Sequence, residues 1–215
     1  LNGAKFILKP NTLTLVATDG HRLAHVEVNA ASGVKAESGV ILPKKTLTEI
    51  GKLLAEFDGD LNFEAGENHL FFEMGSRTLV SRMIDGQFPA YERVIPKGND
   101  KTLEFDRDRL TNAVKRVALL SNERSRAVKF EVSKGSVEVA SSSSEFGDAR
   151  EQIVVDYSGT PLTISFNAQY VLDFLNVVET DVVSLSLKDE VSQAVMRPVG
   201  ADGYNYTYVI MPMRI

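Results

Sequence analysis

The feature that most limits how this chain can fold is a repeat. One strand, one amphipathic helix and three further strands recur across residues 39–84, 101–157 and 161–214. A unit of this kind buries its apolar face against its neighbours, and stacking such units builds an extended or closed surface. Residues 1–30 read as the last strands of an earlier copy without its own opening strand and helix, and the chain starts at Leu1 inside that strand pattern. The expectation is a piece of a longer repeat protein, one that binds and scaffolds rather than catalyses.

The copies are legible in detail. In the first, Val40–Pro43 is a short strand and Lys44–Phe57 a helix with Leu47, Ile50, Leu53, Leu54 and Phe57 at helical spacing. Leu61–Ala65 and Leu70–Met74 alternate as a hairpin pair, and Arg77–Ile84 closes the unit. The second copy opens at Thr102–Phe105. Asp106 or Asp108 caps a helix striped with Leu110, Val114 and Val117. Val128-Phe130-Val132 alternates as a strand, Ser136–Ala140 follows, Ser141–Gly147 reads as a loop, and Gln152–Tyr157 as the last strand. The third copy has Leu162–Phe166, a helix capped by Asn167, then Val182–Leu187, Gln193–Met196 and Tyr206–Met213.

The polar, turn-rich Pro96–Lys101 separates copies one and two, which predicts domains at 1–98 and 99–215, with copies two and three sharing one sheet system. The fold class is α+β, made of repeated β-α-β-β-β units with antiparallel sheets and helices on one face.

Composition narrows the function. Hydrophobic residues at 43% and charged residues at 25% supply one large core or two ordinary ones. No apolar run is long enough to span a bilayer. Without cysteine there is neither a disulfide framework nor a thiolate metal site. A formal charge of −5 means that any grip on nucleic acid uses a local basic surface on an acidic body.

Enzyme signatures are sparse. There is no phosphate loop, no dinucleotide fingerprint and no paired-His zinc motif. His21 and His25 are four apart, but the alternation around them is that of a strand rather than of the helix on which that spacing suits a metal; no metal site is expected. Asp19-Gly20-His21 reads either as half of a catalytic pair or as a tight turn, and the turn chemistry favours the second. The carboxylate pairs Asp58/Asp60, Asp106/Asp108 and Asp189/Glu190 fall in turns or caps. Lys44, Lys45 and Lys52 on the first helix, and Arg107, Arg109, Lys115 and Arg116 on or before the second, fit either a phosphate-facing surface or an ordinary solvated face; charge alone weighs the two equally. The chain stays apolar from Tyr208 to Ile215, where a final core strand accounts for Tyr208–Ile210 better than for Met211–Ile215. Met211 and Met213 flanking Pro212 suit an adaptable apolar pocket wall.

Four segments in order carry a resemblance: Thr18-Asp19-Gly20-His21-Arg22-Leu23-Ala24, Asp85-Gly86-Gln87-Phe88-Pro89-Ala90-Tyr91, Leu120-Ser121-Asn122-Glu123 and Val209-Ile210-Met211-Pro212-Met213-Arg214-Ile215. Together they resemble the bacterial DNA polymerase sliding-clamp family, the β subunit of the replicative polymerase, over essentially the whole chain. The match is to the last part of that family's second domain and all of its third. The resemblance implies a non-catalytic, cofactor-free ring of two subunits that encircles duplex DNA without reading sequence, its helices lining the hole and its sheets outside. It implies a cytoplasmic, nucleoid-associated protein with no membrane role. Its partners would be the polymerase α subunit, the clamp-loader δ subunit, translesion and repair polymerases and mismatch-repair proteins, all bound through short peptide motifs.

Carried over by position, the peptide pocket would include Leu1, Thr18, Gly20, His21, Arg22, Leu23, Pro89, Val94, Gln193, Val209, Met211, Pro212, Met213 and Arg214. Gln193 departs from the smaller Ser frequent in the family, which implies a narrower deep subsite. Lys44, Lys45, Arg93 and Lys97 would lie near DNA. Leu119 and Leu120 would make the apolar subunit contact, flanked by Glu145, Asp148 and Glu151, with Arg150 interrupting that acidity. On this reading the chain by itself lacks the complementary surface and does not close a ring. The alternatives are a peptide-binding adaptor without a DNA role and, less favoured, a DNA-acting enzyme using Asp19 and His21.

Overall fold

A computed structural model describes residues 2–214. Leu1, assigned to the pocket above, and Ile215 lie outside the described residues. The chain divides into two compact units, one of residues up to 19 plus 24–90, the other of 20–23 plus 91 onward. The division at 90/91 precedes the expected 98/99. Its physical basis lies in the intervening segment. Tyr91 is buried, and the Asn99 side-chain amide donates to the Ser186 and Gln193 carbonyls at 2.9 and 3.0 Å, tying the turn-rich stretch to the second unit.

In the first unit, β1 (Gly3–Lys9) pairs antiparallel with β2 (Thr12–Thr18) and with β4 (Ser38–Pro43), giving the order β4-β1-β2-β3, where β3 is Arg22–Asn29 and belongs to this unit from Ala24 on. Gly3 stands where a Cβ would come within 2.2 Å of the Leu42 carbonyl oxygen, so only glycine admits this strand approach. α1 (Lys44–Ala55) follows, then the antiparallel meander β5 (Leu61–Ala65), β6 (His69–Met74) and β7 (Arg77–Arg82). Leu42, Ile50, Leu70, Phe72 and Met74 are buried together, rimmed by half-buried Phe6, Leu53, Phe57 and Phe63. The helix ends earlier than its apolar stripe. The Glu56 and Phe57 amides bond back three residues, to the Leu53 and Leu54 carbonyls, and the Phe57 ring turns onto Gly59 and Gly75.

The second unit holds β8 (Lys101–Asp106), α2 (Arg107–Ala118), β9 (Ala127–Ser133), β10 (Ser136–Ser143), β11 (Gly147–Val154), β12 (Leu162–Asn167), α3 (Ala168–Leu175), β13 (Val182–Leu187), β14 (Ala194–Val199) and β15 (Tyr204–Ile210). The two copies exchange their opening strands. β12 of the third copy adds to the second copy's meander as β11-β10-β9-β12, and β8 of the second adds to the third's as β15-β14-β13-β8. This is the form the expected shared sheet system takes.

α2 packs on α3 and on the meander of its own copy. Leu110, Ala113, Val114, Phe130, Phe166 and Phe174 of these elements are buried almost completely, with the Phe130 and Phe166 rings edge to face. Both helices are capped as expected. Asp106 accepts from the Arg109 amide at 2.7 Å, and Asn167 from the Gln169 amide at 2.9 Å.

One expected loop is largely strand. Ser141–Ser143 pair with Gly147–Ala149, so β11 begins before Gln152 and stops at Val154. A serine run carries no alternation signal, yet Ser141 is buried with its hydroxyl donating to the Val117 carbonyl at 2.6 Å, which satisfies it inside the core.

Candidate functional site

The carboxyl-terminal segment is where the chain stops behaving as core. β15 ends at Ile210, and Pro212 has no amide to continue a ladder. The next two amides are used elsewhere: Met211 donates to the His21 carbonyl at 2.9 Å, and Met213 to the Ser165 carbonyl at 2.7 Å. The backbone is therefore held at two points. The Met211 side chain is exposed, and those of Pro212 and Met213 are half-buried. The core-strand alternative holds as far as Ile210 and no further.

Beside this segment, His21, Arg22 and α3 form one assembly. Gly20 makes the bend before β3 with φ +88, a conformation that L residues rarely adopt, and a Cβ there would meet nothing within 4 Å. The following His21 ring stacks on Tyr170 at 6.3 Å between centroids. The Arg22 guanidinium sits 4.3 Å from the Tyr170 ring centroid, an attractive cation–π placement. It also donates to the Asp173 carboxylate and, at 3.4 Å, to the Tyr208 hydroxyl. Tyr208 in turn donates to the Tyr170 carbonyl at 2.8 Å, and Gln169 donates to Asp173 at 2.8 Å.

Partial burial raises the Asp173 carboxyl, but the hydrogen bonds from Arg22 and Gln169 and the Arg22 charge outweigh it and hold the group below the usual aspartate range. Burial pushes the Tyr206 phenol up, and its ring packs with those of Phe174 and Tyr208. This arrangement offers a fixed cation, aromatic faces and adaptable methionines.

The other residues expected in the pocket lie in varied surroundings. Leu23 and Val209 are about 1% exposed, so they support the site from within rather than offer surface. Val94 is exposed after a single helical turn at Tyr91–Arg93. Gln193 is half-buried, its carbonyl bonded to Asn99, and Arg214 is exposed. Thr18 ends β2, and Pro89, exposed, lies near the end of the first unit. Gln169, Tyr170 and Asp173 were not identified from the sequence. Their spacing along α3, with Asp173 four residues after Gln169 and three after Tyr170, is the only local signal, and it reads equally as a solvated helix face.

Lys44 and Lys45 are exposed in the first turn of α1, whose cap, Pro43, makes no side-chain hydrogen bond and whose first turn holds no acid. Cations at the positive end of a helix cost stability, so their presence there has no folding rationale. Arg93 and Lys97 are also exposed. The basic face of α2 is thinner than its composition suggested. Arg107 donates to the Val178 carbonyl at 2.6 Å, and Arg116 grips Glu151 with two donors. Lys52 is tied to Glu49 at 3.0 Å.

The same Arg116 pair engages Glu151 of the expected interface strand and, chiefly through that hydrogen bond, holds its carboxyl low. Glu145 and Asp148 are exposed, and Arg150 is paired with Glu138 at 2.9 Å. Leu119 is 79% exposed immediately after α2, and Leu120 is half-buried. No cluster of three or more potential ligands that could hold a metal occurs among the described residues. No helix among them is long and apolar enough to cross a membrane.

Comparison with known proteins covers the whole chain. The family model for the central domain of the DNA polymerase III beta subunit matches residues 1–90, and that for its C-terminal domain matches residues 92–214. The beta sliding clamp of Pseudomonas putida is 40% identical over 215 residues, and that of Escherichia coli K12 is 37% identical. The chain spans 58% of the length of these relatives. Among solved structures, the sliding clamp of Pseudomonas aeruginosa bound to griselimycin matches with a TM-score of 0.94 at 38% identity, covering all of this chain and 57% of that one. A Caulobacter crescentus clamp with polyethylene glycol bound at its putative beta-motif tethering region matches with a TM-score of 0.91 at 37% identity, covering all of this chain and 58% of that one.

Proposed function

Because this chain belongs to the DNA polymerase III beta subunit family, we propose that it works as part of a sliding clamp: a non-catalytic scaffold that encircles duplex DNA and tethers replication and repair proteins through short peptides. The observation that carries this reading is the anchored terminus. Main-chain bonds from Met211 and Met213 to the His21 and Ser165 carbonyls hold an apolar segment whose Met211 side chain is exposed and whose Pro212 and Met213 are half-buried. An exposed methionine near a fixed arginine suits a peptide that carries one or two apolar anchors. Ordering costs leave such a complex of modest affinity, which suits partners that exchange.

The partners on this reading are the polymerase α subunit, the clamp-loader δ subunit, translesion and repair polymerases and mismatch-repair proteins, and the assembled protein is a ring of two subunits on the nucleoid. Lys44, Lys45, Arg93 and Lys97 face the phosphates without reading bases. Leu119, Leu120, Glu145, Asp148 and Glu151 belong to the subunit contact. Fluorescence polarisation with a labelled Gln-Leu-Ser-Leu-Phe peptide tests the pocket. Saturable binding is expected for the intact chain and is lost when Met211–Ile215 are removed. A folded chain that does not bind would remove the peptide-tethering reading.

A further inference from the structure

Asp173 lies outside every set of residues assigned above, yet it is the hub of the polar contacts around Arg22. It stands on α3, 151 residues from Arg22 in the chain. One carboxylate oxygen takes the Arg22 guanidinium and the other takes the Gln169 amide at 2.8 Å, so both are occupied. Gln169 precedes Asp173 by one helical turn, the spacing at which such pairs bond along a helix face. The Arg22 guanidinium is thereby held between two constraints: the Tyr170 ring under its plane, 4.3 Å from the centroid, and Asp173 at its edge. The pair is only part-buried, with side chains 28% and 38% exposed. An arginine so placed would otherwise sample many rotamers, and fixing it in advance lowers the ordering cost of binding. His21, stacked on the same tyrosine, carries the carbonyl that holds Met211, so the rotamer of Arg22 and the path of the terminal segment are set on one platform.

We propose that Asp173 is a positioning residue for peptide capture: it fixes the Arg22 guanidinium on Tyr170, so that the pocket meets a partner peptide with its cationic wall already in place. This rests on the peptide-tethering reading above. It also opposes a simple electrostatic expectation. Removing a carboxylate makes the site more positive, which by itself would tighten binding of any peptide bearing acidic groups.

The test uses the whole chain and the labelled Gln-Leu-Ser-Leu-Phe peptide in fluorescence polarisation. Asp173→Asn is expected to weaken binding by about 3- to 10-fold, the scale of one side chain no longer pre-ordered. In an Arg22→Ala background the same change is expected to do nothing further, because Asp173 acts through Arg22. Asp173→Glu restores part of the loss. Thermal melts establish that each variant is folded. Should Asp173→Asn fail to fold, Gln169→Leu, which removes only the second hydrogen bond to the carboxylate, is expected to weaken binding to a smaller degree. Wild-type or tighter binding by Asp173→Asn, or a loss that adds fully to that of Arg22→Ala, would overturn the positioning role and leave the pocket intact. Absence of binding by the wild-type chain would sink both.

Discussion

Gly20 shows how a single backbone angle can serve a site. Its φ of +88 sits in open space, so Gly20→Ala meets no atom and acts through conformation alone. The expected cost is about 1–2 kcal/mol, read from a urea unfolding curve, and an unchanged midpoint would mean that the bend re-forms around an L residue. At the same scale, Asp173 has a pH signature. Its folded-state carboxyl lies below the usual aspartate range, so the native state sheds this proton more readily than the unfolded chain does. That stability is fully present above the ordinary aspartate pKa and is lost as pH falls through the lowered value. Asp173→Asn should therefore flatten the acid limb of a stability–pH curve below about pH 4. An acid limb identical to wild type would rule this linkage out. His21, Arg22 and Met211 were legible as a motif. Asp173 and Tyr170 were not, because nothing in a linear pattern links Asp173 to Arg22, 151 residues away.

At the scale of elements, helix stability and the proposed DNA contact make opposite demands on α1. Lys44 and Lys45 occupy the positive end of the helix dipole with no capping side chain. Replacing both with Glu is expected to raise the stability of the first unit by roughly 0.3–1 kcal/mol per site while weakening retention on DNA in an assembled ring. A double variant that is more stable and equally well retained would remove these lysines from the DNA-facing set. The capped helices behave conventionally: Asn167→Ala should cost about 1 kcal/mol, since two α3 amides lose their acceptor. Most elements were readable because alternation and helical stripes are imposed by one-sided burial. The β10–β11 hairpin was longer than expected because its serines are satisfied by tertiary hydrogen bonds, such as Ser141 to Val117, that leave no trace in hydropathy.

For the whole molecule, the exchange of opening strands in the second unit explains why the repeat cannot be cut between its copies. Each meander takes its fourth strand from the other copy, so a break near Ser158–Pro161 would strip β9 and β13 of partners. On the proposed reading, the exposed Leu119 and the β11 edge belong to the subunit contact of the assembled ring. Leu119→Asp is therefore expected to lower the two-subunit mass of an assembled ring in light scattering. A two-subunit mass unchanged by Leu119→Asp would remove Leu119 from that contact.

The sequence by itself determined the repeat, the cap residue Asn167, the choice of Asp106 or Asp108 for α2, the apolar stripes and the four segments that mark the family, because each is written in residues close together in the chain. Tertiary structure alone decided which meander each opening strand joins, which cations are already occupied by Glu151, Glu49 or a carbonyl, and how Asp173 and Tyr170 hold Arg22. Those outcomes depend on contacts between residues far apart in sequence, where burial and hydrogen-bond satisfaction, rather than local periodicity, select the partner.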